Sequence, residues 1–264
     1  MAAPSTIALM KAYIMKTIQR ATRILQTIRK NDSEGIRLSE LSQNTDLHIT
    51  TTRRILHALQ KEHFVFYDKM NKTYHLGVEL YFLGKTSHHS TLKIKFRPVL
   101  EEIVAQTGDG IVLMTRNDLD AICLDRVDGV YPVRAMQIES GSIRPLAIGP
   151  SSLALIAFGK QSEFDSIINT NKERILKFNK FLTIEKLYKT AKQAQIDGFV
   201  YFEGMFVNGQ FFDDVIGISV PVFLKNKQVI ASVLVSSVKS RMGKNRVIEI
   251  VNIIKKTFKE KLDW

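Results

Sequence analysis

A single cysteine, Cys123, in 264 residues excludes an internal disulfide framework and suits a reducing, cytoplasmic compartment. No run of about 18 apolar residues occurs, so neither a membrane span nor a membrane partner is expected. The opening MAAPSTIALMKAYIMKTIQ lacks the compact apolar core and cleavage pattern of a secretory signal, and it is expected to be a frayed lead-in. Acidic residues are scarce as well, 26 against 38 Lys and Arg, which leaves a net charge of +12. That imbalance favours a polyanionic partner.

Catalytic signatures are missing too. There is no GxSxG elbow, no Walker loop, no GxGxxG after a strand and no HExxH. Cys123 lies between Ile122 and Leu124 in an apolar strand pattern, the setting of a core residue rather than a nucleophile. Asp125 and Asp128, in DRVDG, could form an acid/base pair, but with only Arg126 and a turn beside them they suit a turn and salt-bridge role. His88 and His89 are adjacent, so on a helix they point about 100° apart. No Cys or carboxylate stands at metal-ligand spacing from them. No catalytic residue, metal or cofactor is therefore expected.

The length suits two modest domains. The first 90 residues hold 13 basic and 7 acidic residues and so carry half of the net charge in a third of the chain. Within residues 15–30, Ile18, Ala21, Ile24, Leu25 and Ile28 recur at helical spacing and form an apolar face, with Lys16, Arg20, Arg23 and Arg29 outside it. The NDSEG run at 31–35 breaks that helix. In a second, short helix Leu38 and Leu41 point inward and Leu47 closes the following turn, where Asp46 occupies a bend that favours a left-handed residue.

The third helix, residues 49–62, carries most of the information. At 100° per residue, Thr52, Ile55, Leu56 and Leu59 share the core side. Thr50, Arg54, His57 and Lys61 share the opposite side, flanked by Arg53, Gln60 and Thr51. Such groups can reach phosphates and base edges in a major groove, although a merely solvated helix face has the same pattern. Two β-prone runs follow, FVFY at 64–67 and TYHL at 73–76, separated by a polar turn with Lys69 and Lys72 at its tip. Three helices and a basic hairpin make a winged helix-turn-helix.

Beyond a helical stretch at 77–89, residues 95–106 are predicted helical and 111–115, 121–127 and 133–137 strand-like. Helices are expected at 151–158, 163–169 and 184–196, and strands at 199–202, 215–223 and 228–236. A final helix at 243–262 places Val247, Ile250, Val251, Ile254 and Phe258 on one face and lysines on the other, a pattern for packing on its own sheet. The GPSS turn at 149–152 opens an apolar helix and offers backbone N–H groups to a carboxylate, or simply starts the helix.

At this point the sequence resembles the IclR family of bacterial transcription regulators. The resemblance is carried by ATRILQTI, LSELSQNTDLHITTTRRILHAL, EHFV and YHLG, then by AICLDRVDGVYPVR, RPLAIGPSSLALIAF, IGISVPVF and VIASVLVSSVKSRM, in that order. It implies an α+β two-domain protein. The parts would be a winged helix-turn-helix DNA-binding domain (15–76), a linker helix (77–90) that helps dimerise it, and a GAF-like antiparallel sheet with flanking helices (91–264). It implies Thr50, Thr51, Arg53, Arg54, His57, Lys61, Lys69 and Lys72 as the DNA-binding set, a roughly palindromic double-stranded operator, and a homodimer or homotetramer. Carried over by motif position, it nominates Pro150, Ser151, Glu203, Gly217, Leu234 and Ser236 for a small organic acid effector.

Several positions depart from the family pattern. Asp46 stands where the turn usually has glycine, and Phe66 and Tyr67 stand where the wing is commonly basic, which shifts the DNA contacts toward the third helix. Residues 202–214 read as a long loop in which Asp213 or Asp214 could replace Glu203. Phe206, Phe211 and Phe212 there suit an aromatic ring or pack the loop down. Gly217 and Leu234 replace polar or thiol side chains and point to a more apolar ligand than a simple keto acid. A competing class remains open at this stage: a ligand-binding or catalytic C-terminal domain whose N-terminal module contacts protein.

Overall fold

The computed structural model describes residues 6–31, 34–131, 138–207 and 210–261, which divide into two compact units, Met1–Thr91 and Leu92–Trp264. In the first unit come α1 (Thr6–Arg29), α2 (Leu38–Thr45), α3 (Ile49–Lys61), the hairpin strands β1 (Val65–Asp68) and β2 (Thr73–Leu76), and α4 (Val78–Lys85). Ile24 and Ile28 of α1, Leu41 of α2, Ile55 and Leu56 of α3, and Val65 and Tyr74 of the hairpin close one core. Fully burying a side chain such as Leu56 contributes roughly 2 kcal/mol.

The α2–α3 turn is tied from both sides. The Ser42 hydroxyl donates to the Leu47 carbonyl at 2.6 Å, and the Leu47 N–H donates to the Ser42 carbonyl at 3.1 Å. Asp46 caps α2 in the left-handed conformation at φ 54°, as its place in the bend predicts. The wing gains a third pairing partner in an isolated bridge between Ile36 and Tyr74.

Two expectations for this unit need correction. The lead-in is helical from Thr6, so α1 begins about two and a half turns before the 15–30 pattern. Ile18 is 62% exposed because the core ends near Ala21, a turn short of it.

The second unit is built on an antiparallel sheet. Its strands are β3 (Ile111–Asn117), β4 (Asp120–Val127), β5 (Ile143–Pro145), β6 (Val200–Val207), β7 (Gln210–Phe223) and β8 (Val229–Val238), in the order β5-β4-β3-β8-β7-β6. Alternation along the strands gives the sheet two apolar faces. Ile111, Leu113, Ile216, Ile218, Val233 and Val235 meet α5 (His88–Thr107) and α9 (Lys244–Lys261). Val112, Met114, Cys123, Phe202 and Leu234 meet α6 (Pro150–Ala154), α7 (Gln161–Phe178) and α8 (Ile184–Asp197). Val247, Ile250, Val251, Ile254 and Phe258 are all buried, the face the sequence assigns to α9.

Several boundaries differ from the sequence pattern. The linker is two helices: α4 stops at Lys85, and α5 starts at His88 and runs through the 95–106 helix as one element. The strand expected at 133–137 lies outside the described residues, and the short edge strand β5 had no sequence signal. The apolar 151–158 run is helical only from Pro150 to Ala154. Conversely α7 runs to Phe178, well past 169, because its polar residues find partners. Asn171 is buried and donates to the Leu119 carbonyl at 2.8 Å, and Arg174 pairs with Asp120. Finally, the 202–214 stretch is a β-hairpin rather than a loop, with Met205 opposite Phe212 and Phe206 opposite Phe211.

Candidate nucleic-acid interface and effector pocket

Helix α3 is held at its start by His48, whose Nδ1 accepts the Thr50 N–H at 3.4 Å and hydrogen-bonds the Thr50 hydroxyl at 2.8 Å. Thr52, Ile55 and Leu56 are buried and Leu59 is half-buried, which fixes the helix's rotation about its axis. Thr50, Arg53, Arg54, His57 and Lys61 are consequently exposed, and Thr51 sits at the border. This is the side assignment that the 100° periodicity requires.

The wing tip is organised by Asp68. Its carboxylate accepts the N–H groups of Met70 (2.8 Å) and Asn71 (3.3 Å) and the Asn71 side-chain amide (2.7 Å). These bonds hold its pKa below the usual carboxylate range. Lys69 and Lys72 are exposed on that turn, Lys72 in the left-handed conformation.

In the second unit a small cavity of about 40 Å³ lies against the sheet face covered by α6. Pro150, Ser151 and Leu234 line it. Gly217 is adjacent: a side chain begun there would stand 2.9 Å from the Pro150 ring and 2.7 Å from the Met205 sulfur. Met205, which also lines the cavity, therefore fills the space over Gly217. Ser236 pairs with Gly217 across the strands and, two residues from Leu234, faces the same side. Its hydroxyl, like that of Ser219, is buried without a hydrogen-bond partner.

Two nominated residues behave differently from expectation. The Ser151 hydroxyl is already engaged with the Ser232 hydroxyl at 2.6 Å. Glu203 falls on the opposite strand parity from Phe202 and Gly204, is exposed, pairs with Lys239, and lines a separate groove of about 1040 Å³. Asp213 and Asp214 are exposed as well, and the Phe211 ring lies 5.0 Å from that of Phe181. The side chain of Phe206 is outside the described residues. The carboxylate cradle is also weaker than expected, since α6 has only five residues and the Gly149 N–H donates to Ser152 Oγ at 3.1 Å.

The residue that sequence reasoning missed is Arg144 on β5, which lines the cavity beside Phe178 and Asn179. Its guanidinium lies 5.7 Å from the centre of the Phe178 ring. It opens the RPLAIGPSSLALIAF block, but no periodicity singles it out, because β5 is three residues long.

Cys123 is buried, and burial, followed by the nearby Asp125 charge, pushes its thiol up to about 12. The native thiol is expected to resist iodoacetamide at pH 8, with one equivalent reacting once guanidinium unfolds the chain. Fast native alkylation would contradict its burial. Between the ordinary thiol range and about 12 the unfolded chain ionises and the folded one does not, so this residue's contribution to stability declines as pH rises through that window. Among the described residues no group of three or more His, Cys, Asp or Glu could hold a metal, and no helix is long and apolar enough to cross a membrane.

Comparison with known proteins gives a concordant picture. Residues 84–262 match the family model described as bacterial transcriptional regulator IclR C-terminal, and residues 17–69 match the IclR helix-turn-helix domain. The HTH-type transcriptional repressor AllR of Escherichia coli (strain K12) is 23% identical over 252 residues, covering 93% of this chain and 88% of AllR. AllR of Salmonella typhimurium is 23% identical over 247 residues with the same coverage. Among solved structures, Thermotoga maritima IclR superposes with a TM-score of 0.67 at 19% identity, covering 93% of this chain and 97% of that one. An IclR homolog from Microbacterium hydrocarbonoxydans, complexed with 4-hydroxybenzoate, gives 0.70 at 16% identity, covering 92% and 99%. At such identities these structures show the fold.

Proposed function

The chain belongs to the IclR family of bacterial transcriptional regulators, and on that premise we propose how its two units divide the work. It is a ligand-responsive DNA-binding regulator, not an enzyme, and it acts in the cytoplasm. Helix α3 enters the major groove. Thr50, Arg54 and His57 read base edges, while Arg53, Lys61, Lys69 and Lys72 neutralise phosphates, with Thr51 at the margin. The observation that carries this reading is the clean division of α3 into a buried apolar side and an exposed cationic one.

The domain plan follows the same logic: residues 15–76 bind DNA, 77–90 link, and 91–264 sense and oligomerise. Helix α4 leaves Val78, Tyr81, Phe82 and Leu83 more than half exposed, an apolar surface on an eight-residue helix that suits a second copy of the chain. A two-fold dimer requires a roughly palindromic operator.

The effector is a small organic acid, aromatic acids included, as the 4-hydroxybenzoate bound to the Microbacterium relative suggests. It enters where Met205 now lies, bordered by Pro150, Ser151, Gly217, Leu234 and Ser236. A cavity of about 40 Å³ holds little more than a water molecule, so the flexible thioether must swing aside. Glu203 then acts from outside the cavity, through Lys239.

A thermal-shift screen of organic acids, followed by DNA release in the presence of each hit, tests this function. Gly217→Val is expected to weaken the hit by at least about tenfold, because the added carbons meet the Pro150 ring as well as Met205. DNA affinity without ligand should be unchanged. Unaltered ligand affinity in that variant would remove Gly217 from the site.

A further inference from the structure

We propose that Arg144 is the anion-recognising residue of this pocket, and that it defines the effector as a carboxylate whose apolar body lies against Met114, Phe202 and Leu234. The inference rests on the effector-pocket assignment above and names the group that reads the ligand's charge.

Arg144 is the only charged side chain among the described residues that line the cavity. It also differs from every other described arginine of its unit. Arg97, Arg116, Arg126, Arg174, Arg241 and Arg246 each have a carboxylate partner. Arg144 has none among the described residues; its guanidinium instead lies over the ring of Phe178, 5.7 Å from the centre. The guanidinium is half-buried, and burial pushes its pKa below the ordinary guanidinium value. A desolvated cation without a counter-ion costs stability, and a carboxylate entering the cavity would relieve that cost.

The placement is also firm. Arg144 pairs in register with Ala121 on β4, its neighbour Pro145 pairs with Asp120, and the Leu146 N–H donates to the Leu119 carbonyl at 3.0 Å. A planar fork held this way and backed by an aromatic ring can take both oxygens of a carboxylate, which neither a five-residue helix nor a hydroxyl already engaged with Ser232 can do. Met114, Phe202 and Leu234 give the cavity apolar walls, and its other polar linings, Ser151, Ser152 and Asn179, are uncharged, so charge recognition rests with Arg144. The ligand is thus a compact monoanion with an apolar or aromatic body.

The test uses the full chain and three acids, benzoate, 4-hydroxybenzoate and pyruvate, each beside its primary amide. Inorganic phosphate is added as a separate arm. For the wild type, at least one acid should raise the melting temperature while its amide and phosphate do not. Arg144→Met, which keeps the stem and removes the charge, should weaken that acid by about 10- to 100-fold. The same variant without ligand should melt within about 2 °C of the wild type, or higher, since binding residues are commonly held at the expense of stability. A purely structural arginine would instead lower it. Arg144→Lys, which keeps the charge but loses the fork, should bind roughly threefold to tenfold more weakly than wild type, and it decides the matter if Arg144→Met does not fold.

Equal acid affinity in wild type and Arg144→Met, equal affinity for acid and amide, or a response to phosphate alone would overturn the inference and leave the pocket standing. If no acid stabilises the wild type, the acid-sensing assignment falls and this inference with it.

Discussion

Replacing Gly77 by alanine should unfold the corner between the wing and α4 and abolish specific DNA binding. A Cβ at this position would stand 2.0 Å from the His63 carbonyl oxygen and 2.7 Å from the carbonyl carbons of His63 and Phe64. These are backbone atoms and cannot rotate away as a side chain would. The corner is already constrained, because His63 has a positive φ of 58°. In addition the Gly77 N–H donates to the Phe64 carbonyl at 2.8 Å and the Glu79 N–H donates to the His63 carbonyl at 3.2 Å. Relieving the clash means breaking those bonds at a cost of about 3 kcal/mol or more, which lowers the melting of a unit this small by roughly 12–24 °C. Hydrogen–deuterium exchange should show lost protection in α3 peptides with α9 peptides unchanged. Gly84→Ala is the matched control. Nothing lies within 4 Å of a Cβ there, and in the last turn of α4 the change should be neutral or stabilise by up to about 0.5–1 kcal/mol. Wild-type protection of α3 in Gly77→Ala would show that the corner can open cheaply.

The second large effect concerns what α3 reads. Arg54→Ala is expected to cost about 1–3 kcal/mol on the operator, roughly 10- to 100-fold, with little change on scrambled duplex. Lys69→Ala and Lys72→Ala should weaken both duplexes alike and lower the slope of affinity against salt by about one. Anisotropy titrations at two salt concentrations separate the two behaviours. If Arg54→Ala weakened both duplexes equally, it would be a phosphate contact, and base reading would pass to Thr50 and His57.

How far these features could be read from the sequence depends on how local their causes are. The faces of α3 and α9 follow directly from helical period, and Thr52, Ile55, Leu56, Ile250 and Ile254 are buried where that period puts them. The left-handed Asp46 was legible from its bend because so few residue types tolerate that conformation. By contrast, the helix expected at 163–169 continues as α7 to Phe178. What extends it is tertiary: a buried Asn171 satisfied by Leu119, and Arg174 paired with Asp120. The extension of β6 and β7 into the 202–214 stretch depends on their pairing with each other, which local turn residues do not report.

Within the site, motif position brought Pro150, Ser151, Gly217, Leu234 and Ser236 to one region of the sheet. It did not bring Glu203, since a carboxylate one residue from Phe202 sits on the other face, and the strand's irregularity comes only after it, between Glu203 and Met205. Arg144 was invisible because its importance lies in a missing partner, and the absence of a counter-ion is a property of the folded surroundings rather than of the residue's neighbours in sequence.

The central claim, that this is a regulator whose third helix recognises a specific operator, is tested most directly by one titration. Full-length protein is titrated against labelled DNA from upstream of its own gene and against a scrambled duplex of equal length and composition, at about 0.15 M salt. The expected result is a preference of at least about 10³-fold for the upstream DNA, within the range of specific DNA-binding proteins. Equal affinity for the two duplexes would contradict the claim.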